Sequence, residues 1–293
     1  MFKIVSLFLL LFFRLNAQEC SSIIKTSDLQ TILPVIDEET VVLWDMDDTL
    51  TDSTISLGTG AWRQYIRKKI AEYETVKNSR WNGANLHDIL VFYVALNVPV
   101  KPVQPETLSI IEKLQKKNIK TFVLTGRGKL KWYSSQIPNA DKLTFRQLKQ
   151  AGYRFDLTSV TPGMKQSEYF ADGVYFVSGK DKGDFLVENV FPFVDFKKIV
   201  FIDDKWDQVE SVEKACKAGR QVKGVYYTRA QEEHKDFDPV VATIQLERLL
   251  DDNRVISDQE AVEIKCGLGD VKADEYFFKF LDRVDVSKIQ LEL

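Results

Sequence analysis

The sequence predicts an α/β fold: a Rossmann-like parallel sheet flanked by helices, with a small helical cap inserted after its first strand. Two observations carry that prediction. Short apolar runs rich in β-branched and aromatic residues, VVLW before Asp45, KTFVL before Thr125 and KKIVFI before Asp203, each stop abruptly at polar residues. Runs of this kind suit strands buried on both faces of a sheet. Segments of helical periodicity lie between them, and repeated strand–helix alternation calls for parallel strands joined by crossovers.

In chain order, Lys3 followed by the apolar run Ile4 to Phe13, broken at Arg14, Asn16 and Ala17, reads as a secretory signal over residues 1–17. The run is short for a membrane span, and an uncleaved anchor is the alternative. Cleavage near Ala17 would leave residues 18–293 as an exported chain, periplasmic or secreted, without a stable membrane span. VVLW is the first predicted strand. Ala61 to Asn97 is then helical in pattern (AWRQYIRKKIAEY, LHDILVFYVALN), interrupted by NSRWNGAN. It defines a cap over about 53–102, between core segments of about 36–52 and 103–245. SLGTGAW reads as a flexible connection into that cap, and Trp62, Tyr65, Trp81, Phe92 and Tyr93 as helix-packing aromatics or pocket walls.

Glu106 to Lys117 places Leu108, Ile111 and Leu114 on one helical face ahead of the second strand. FRQLKQAG is helix-like, and the aromatic stretch ADGVYFVSGKDKG interrupts the simple alternation. KDKGDFL looks like a loop entering a helix. Gln208 to Ala218 repeats the helical pattern through Val209, Val212, Ala215 and Cys216 and stops at Gly219, and VKGVYYT is a fourth strand. A helical extension covers about 246–293.

Composition narrows the function. The 293 residues carry 40 basic and 43 acidic side chains, a net charge of −3, with no basic stripe. This argues against a nucleic-acid partner. Cys20, Cys216 and Cys266 allow at most one internal disulfide. With no CxxC and only His87 and His234, a structural zinc site is not expected. Nothing in the sequence defines an oligomeric state.

Ligands of open parallel sheets bind just beyond the carboxyl ends of the strands. There this chain places Asp45 and Asp47, then Thr125, Gly126 and Arg127, then Asp203 and Asp204, joined by Lys182 from the KDKGD loop. Carboxylates suit Mg²⁺, which binds through one or two of them plus a substrate phosphate. A carboxylate is also a possible nucleophile, and lysine and hydroxyl donors can hold developing charge. A small phosphorylated substrate is the partner such a kit predicts. The plainer readings are a solvated turn for Asp45 and Asp47 and a helix cap for Asp203 and Asp204. Asp48 and Asp52 read as turn-shaping or capping residues. Arg127 reads as a phosphate contact or a surface pair, Lys180 competes with Lys182, and His87 reads as a packed or surface histidine.

DMDDTLTD resembles the first motif, DxDx[TV], of the haloacid dehalogenase-like superfamily of phosphohydrolases. TFVLTGR is similar to its second motif, Lys182 in KDKGD to its third and FIDD to its fourth, so the resemblance spans Val41 to Thr228. A TGR string after an export signal is also similar to secreted acid phosphatases of that superfamily. The resemblance implies a Mg²⁺-dependent phosphomonoester hydrolase working through an aspartyl-phosphate, with the helical cap between motifs one and two. Asp45 would be the nucleophile and Asp47 the general acid and then base, its proton held by a closed, partly dry site. Thr125 and Lys182 would contact phosphate, with Gly126 and Arg127 as substrate-binding neighbours. Asp45, the carbonyl of Asp47 and Asp204 would hold the cation, with Asp203 and Asp207 beside them. The superfamily often has an acid or amide four places after its metal-binding aspartate, which is Gln208 counting from Asp204 and Asp207 counting from Asp203. Asp47 disfavours the dehalogenase reaction, whose branch lacks the second acid. The alternative is an exported interaction protein that keeps the fold with little or no turnover.

Overall fold

The structure is a computed structural model that describes residues 23–77, 83–132, 140–155, 167–215, 220–285, 289 and 291. The predicted signal segment, Cys20, Trp81, Cys216 and Gly219 lie outside these residues. Strand β1 (Ile24–Thr26) and a 3-10 turn over Leu29–Val35 lead into β2 (Thr40–Trp44). Then come β3 (Thr51–Ser53), α1 (Gly60–Lys77), α2 (Gly83–Asn97), β4 (Val100–Pro102), α3 (Glu106–Lys116) and β5 (Lys120–Thr125). Next are α4 (Ala140–Gln150), β6 (Phe170–Ala171), β7 (Val174–Phe176), α5 (Lys182–Asn189), β8 (Lys198–Asp203) and α6 (Trp206–Lys214). The chain continues through β9 (Gln221–Tyr227), α7 (Arg229–Glu233), α8 (Pro239–Asp252), α9 (Asp258–Leu268) and α10 (Ala273–Arg283).

Seven strands form one sheet in the order β1-β9-β8-β2-β5-β7-β6, with β6 alone antiparallel to its neighbour. This is the predicted α/β, Rossmann-like class. Period-two alternation sends Val41, Leu43, Phe122, Leu124, Ile199 and Phe201 to one face, against α5 and α6. Val42, Trp44, Val123, Val200 and Ile202 go to the other, against α3, α4 and α7. Both faces of β2 are therefore covered, which is why all five of its residues are buried and its sequence is apolar without alternation. β5 and β8 flank β2 on opposite sides; the chain runs from β2 out through β5 and β7 and then crosses back to β8 and β9, so the carboxyl end of β2 is a topological switch point.

The insertion after β2 contains α1 and α2. It stands on a two-stranded base in which Thr51 lies opposite Pro102 and Ser53 opposite Val100. Helix α2 (GANLHDILVFYVALN) is apolar on more than one side, so one partner cannot cover it. The C-terminal helices supply the rest. Trp62, Ile66, Ile70, Leu90 and Phe92 share an apolar core with Leu246, Leu249, Phe277 and Phe280, distinct from both sheet faces. The Tyr65 and Phe277 rings meet edge-on at 5.4 Å, and Lys69 and Tyr73 donate to Asp274 and Asp282, each at 2.7 Å. The insertion and the C-terminal region are thus one helical layer, and its first C-terminal helix begins at Pro239 rather than near 246. Asp238 caps that helix ahead of the N1 proline, a common start signal. Tyr65, Phe92 and Tyr93 are packing residues of this core. His87 is half-buried, 3.2 Å from Asp88. Cys266 is an exposed free thiol, and no helix among the described residues is long and apolar enough to cross a membrane.

Phe277→Ala, which empties a fully buried ring site, is expected to cost about 3–5 kcal/mol. Urea denaturation checks this, and a loss below about 1 kcal/mol would show that the C-terminal helices do not brace the insertion.

Candidate active site

Each candidate residue is placed by a specific local device. Asp45 still belongs to the sheet, its amide donating to Ile202 O at 2.8 Å. The chain then turns tightly, with Met46 O accepting from both Leu50 and Thr51 amides at 2.9 Å. Asp48 takes a left-handed φ of 65°, which short polar side chains tolerate. Gly60 passes so close that any side chain there would collide with the Asp48 carboxylate. Thr125 ends β5 fully buried, its Oγ1 accepting from the Arg127 amide at 3.3 Å. The following loop is laced to the β7 loop, with Gly179 N donating to Gly126 O at 2.8 Å and Ser178 N to Arg127 O at 3.0 Å.

Lys182 is the first residue of α5, capped by Asp181. Its amide donates to Gln208 Oε1 at 3.0 Å, and the Gly183 amide to Ser211 Oγ at 3.1 Å. A side chain at Gly183 would strike the Ser211 carbonyl, so only glycine lets α5 approach α6 this closely. At the end of β8, the Asp204 amide donates to Thr49 Oγ1 at 3.1 Å and its carbonyl accepts from Gln231 at 2.7 Å.

These devices converge on one charge cluster. Lys182 is 4% exposed, and its ammonium donates to Asp45 and, at 2.6 Å, to Asp203. Burial opposes its charge, but Asp203 and Asp45 outweigh burial and hold it protonated. The second Asp203 oxygen accepts from the Lys205 amide at 2.8 Å. Asp204 Oδ1 is buried with no hydrogen-bond partner. Asp45, Asp203 and Asp204 each bring a carboxylate oxygen within 4.8 Å of the others. Burial first, then the neighbouring Asp45, pushes the Asp203 carboxyl up to about 6. Burial, with Asp48, Asp203 and Asp45, pushes Asp204 well above the usual range. Three buried acids share one buried ammonium, with Lys205 acting on Asp203 and Asp204 from the surface, and this oxygen donor set suits a hard divalent cation. Asp204, with an unused oxygen, is the better direct ligand; both oxygens of Asp203 are engaged.

Two expectations need correction. Arg127 is not a surface pair. It is buried, stacked over Trp132 at 5.0 Å, and grips Asp47 through Nε at 2.9 Å and Nη2 at 2.6 Å. Burial would raise the Asp47 carboxyl, but Arg127 and then Arg63 overcome it and hold the group well below the usual range. The surroundings therefore keep a proton off Asp47 rather than on it. Asp48 and Asp52 are also more than turn-shapers. Both are buried, Asp48 paired with Arg63 of α1 at 2.6 Å and Asp52 with His234 after α7 at 2.6 Å. The Asp52 bond raises the His234 pKa.

Asp207 is exposed, accepts from Gln208 Nε2 at 3.3 Å and is not a member of the acidic cluster. Lys180 is exposed, 3.8 Å from Glu188, so the geometry selects Lys182. Gln208, four places after Asp204, anchors the Lys182 backbone. Arg63, His234, Thr49 and Gln231 carried no signal in the sequence, because each acquires its partner only through the fold.

The linkage of the acidic cluster to stability has a definite sign. With its folded pKa raised from 3.8 to about 6, Asp203 holds in the native state a proton that the unfolded chain releases. The repulsion penalty therefore grows between these values and is complete above about pH 6. Without divalent cation, Asp204→Asn is expected to melt higher than wild type at neutral pH, by about 2–4 °C per kcal/mol relieved. The gain should shrink toward about pH 4. Thermal melts across that range check it; a neutral-pH melting temperature below wild type contradicts it.

A Chlamydia pneumoniae protein described as a "putative outer membrane protein" is 26% identical over 207 residues, covering 68% of this chain and 72% of that one. No solved structure matches the chain. The family described as a protein of unknown function (DUF2608) matches residues 22–262, across the whole sheet and the insertion, and the chain belongs to it.

Proposed function

We propose that this protein is a phosphomonoester hydrolase of the haloacid dehalogenase type, working through an aspartyl-phosphate on Asp45. The observation that carries the reading is the buried Lys182 ammonium held between Asp45 and Asp203, beside the unpartnered Asp204 oxygen. Asp45, the Asp47 carbonyl and Asp204 would hold Mg²⁺, which when bound supplies positive charge to a phosphate that the carboxylates would otherwise repel.

The chain's own residues account for the rest. An Asp45 oxygen attacks phosphorus as the ester bond to the leaving oxygen breaks. Lys182 keeps Asp45 oriented and neutralises charge on the transferring group. Thr125 ends β5 near Asp45, the residue that follows β2, where its hydroxyl would donate to a phosphate oxygen. Asp47, held ionised by Arg127, serves readily as the base that takes a proton from water when the acyl phosphate is hydrolysed. Its acid role in the first step requires a proton. A phosphate dianion arriving beside it competes for Arg127 and raises the affinity of its carboxyl for that proton.

Export belongs to the same proposal, supported by the apolar run Ile4 to Phe13 and by the description of the Chlamydia relative. An intact Met1 on material recovered outside the cytoplasm would contradict cleavage near Ala17.

Hydrolysis of an aryl phosphate and an alkyl phosphate, with and without Mg²⁺, tests the reading. Wild type should turn over both only with the metal, and Asp45→Asn should abolish both. Asp47→Asn should lose about 10²–10⁴-fold on the alkyl ester and less on the aryl ester, whose leaving group needs less protonation. Activity in wild type no higher than in Asp45→Asn would overturn the proposal and favour an exported binding protein on this fold.

A further inference from the structure

A small cavity of about 40 Å³ lies among the insertion helices, their two-stranded base, the loop after β5 and α4. Its walls include Asp47 and Arg127 but none of Asp45, Lys182, Asp203 or Asp204, so it borders Asp47 without being part of the acidic cluster. If Asp47 exchanges a proton with the leaving oxygen, this is where the remainder of the leaving group would lie. At about 10–15 Å³ per water, the space holds roughly three waters, or a chain of three or four heavy atoms.

The lining restricts the chemistry further. Trp62, Val91 and Val94 supply an apolar wall. Every charge that borders the cavity is already matched: Arg127 by Asp47, Arg63 by Asp48 and Asp52 by His234. A carboxylate or ammonium on the substrate would find no unmatched counter-charge among them and would lose its hydration. The lining also offers a buried acceptor without a partner. Gln147, on α4 and 3% exposed, lines the cavity with its Oε1 buried and unbonded. Its Nε2 donates to Ala95 O at 3.0 Å, which fixes the amide orientation because a flip would set two carbonyl oxygens together. A buried acceptor left unmade is costly, and a ligand hydroxyl would satisfy it.

We propose that this cavity is the leaving-group subsite and that the substrates are phosphate monoesters of short, uncharged alcohols bearing a second hydroxyl, which donates to Gln147 Oε1. Gln147 is then a specificity-determining residue. The inference rests on the phosphohydrolase reading and adds to it a substrate class.

The test compares kcat/KM for 3-hydroxypropyl, propyl and 3-carboxypropyl phosphate in wild type and Gln147→Leu. The ratio between esters within one protein does not depend on how much of a variant folds. Wild type should prefer the hydroxypropyl ester over the propyl ester by ~10-fold or more, with the carboxypropyl ester poorest, and Gln147→Leu should erase the first preference. Equal rates on the first two esters, or a preference that survives the substitution, overturns the subsite while the phosphohydrolase reading stands. If no ester is hydrolysed, including an aryl phosphate, that reading fails. The subsite is then decided by nuclear magnetic resonance titration with propane-1,3-diol against propan-1-ol, where tighter diol binding lost in Gln147→Leu sustains it and equal binding overturns it.

Discussion

The site depends on one interaction, the Lys182 ammonium buried between Asp45 and Asp203. Three carboxylates meet where parallel strands end, and this lysine is what makes their convergence tolerable. A buried pair of this kind contributes little net stability, yet removing one partner strands the other and costs about 3–5 kcal/mol. Much of the neighbouring structure serves to place that ammonium. Gln208 takes the Lys182 amide, Ser211 takes the Gly183 amide, and the missing side chain at Gly183 lets the two helices close. The uncompensated remainder is the Asp204 carboxylate, whose raised proton affinity marks a place where positive charge is wanting.

Around this cluster lies a second ring of ion pairs with a different task. Arg127–Asp47, Arg63–Asp48 and His234–Asp52 each join a residue of the turn after β2, or of β3 just beyond it, to another element. Arg63 brings in the insertion, Arg127 the β5 loop and His234 the segment after α7. The turn is thus tied on three sides, and the insertion is further held by the C-terminal helices through their shared apolar core. This arrangement favours a preorganised pocket over a freely hinged cap, and it accounts for a cavity with paired charges and one unmatched acceptor.

Much of this was legible in the sequence where the signal is local. VVLW, KTFVL and KKIVFI announce central strands because burial on both faces demands continuous apolar residues. Asp45, Lys182 and the Asp203/Asp204 pair were legible because strand ends and a glycine-marked helix start are read from neighbours in sequence. β1, the β3–β4 base and the β6–β7 hairpin were not, since strands of two or three residues exist only by pairing with distant chain. Arg127 was ambiguous because its partner, Asp47, is 80 positions away. Its grip reverses the expected protonation of that aspartate. Asp207 and Gln208 show the limit of counting: the amide faces inward to Lys182 while the acid faces solvent, a distinction set by the orientation of α6.

The central claim, that Asp45 becomes covalently phosphorylated, is tested most directly by trapping the intermediate. The protein is quenched with acid during turnover of an aryl phosphate with Mg²⁺, reduced with borohydride and mapped by peptide mass spectrometry. Conversion of Asp45 alone to homoserine is the predicted result. Turnover with Asp45 unmodified, or with the modification at another carboxylate, would contradict the account.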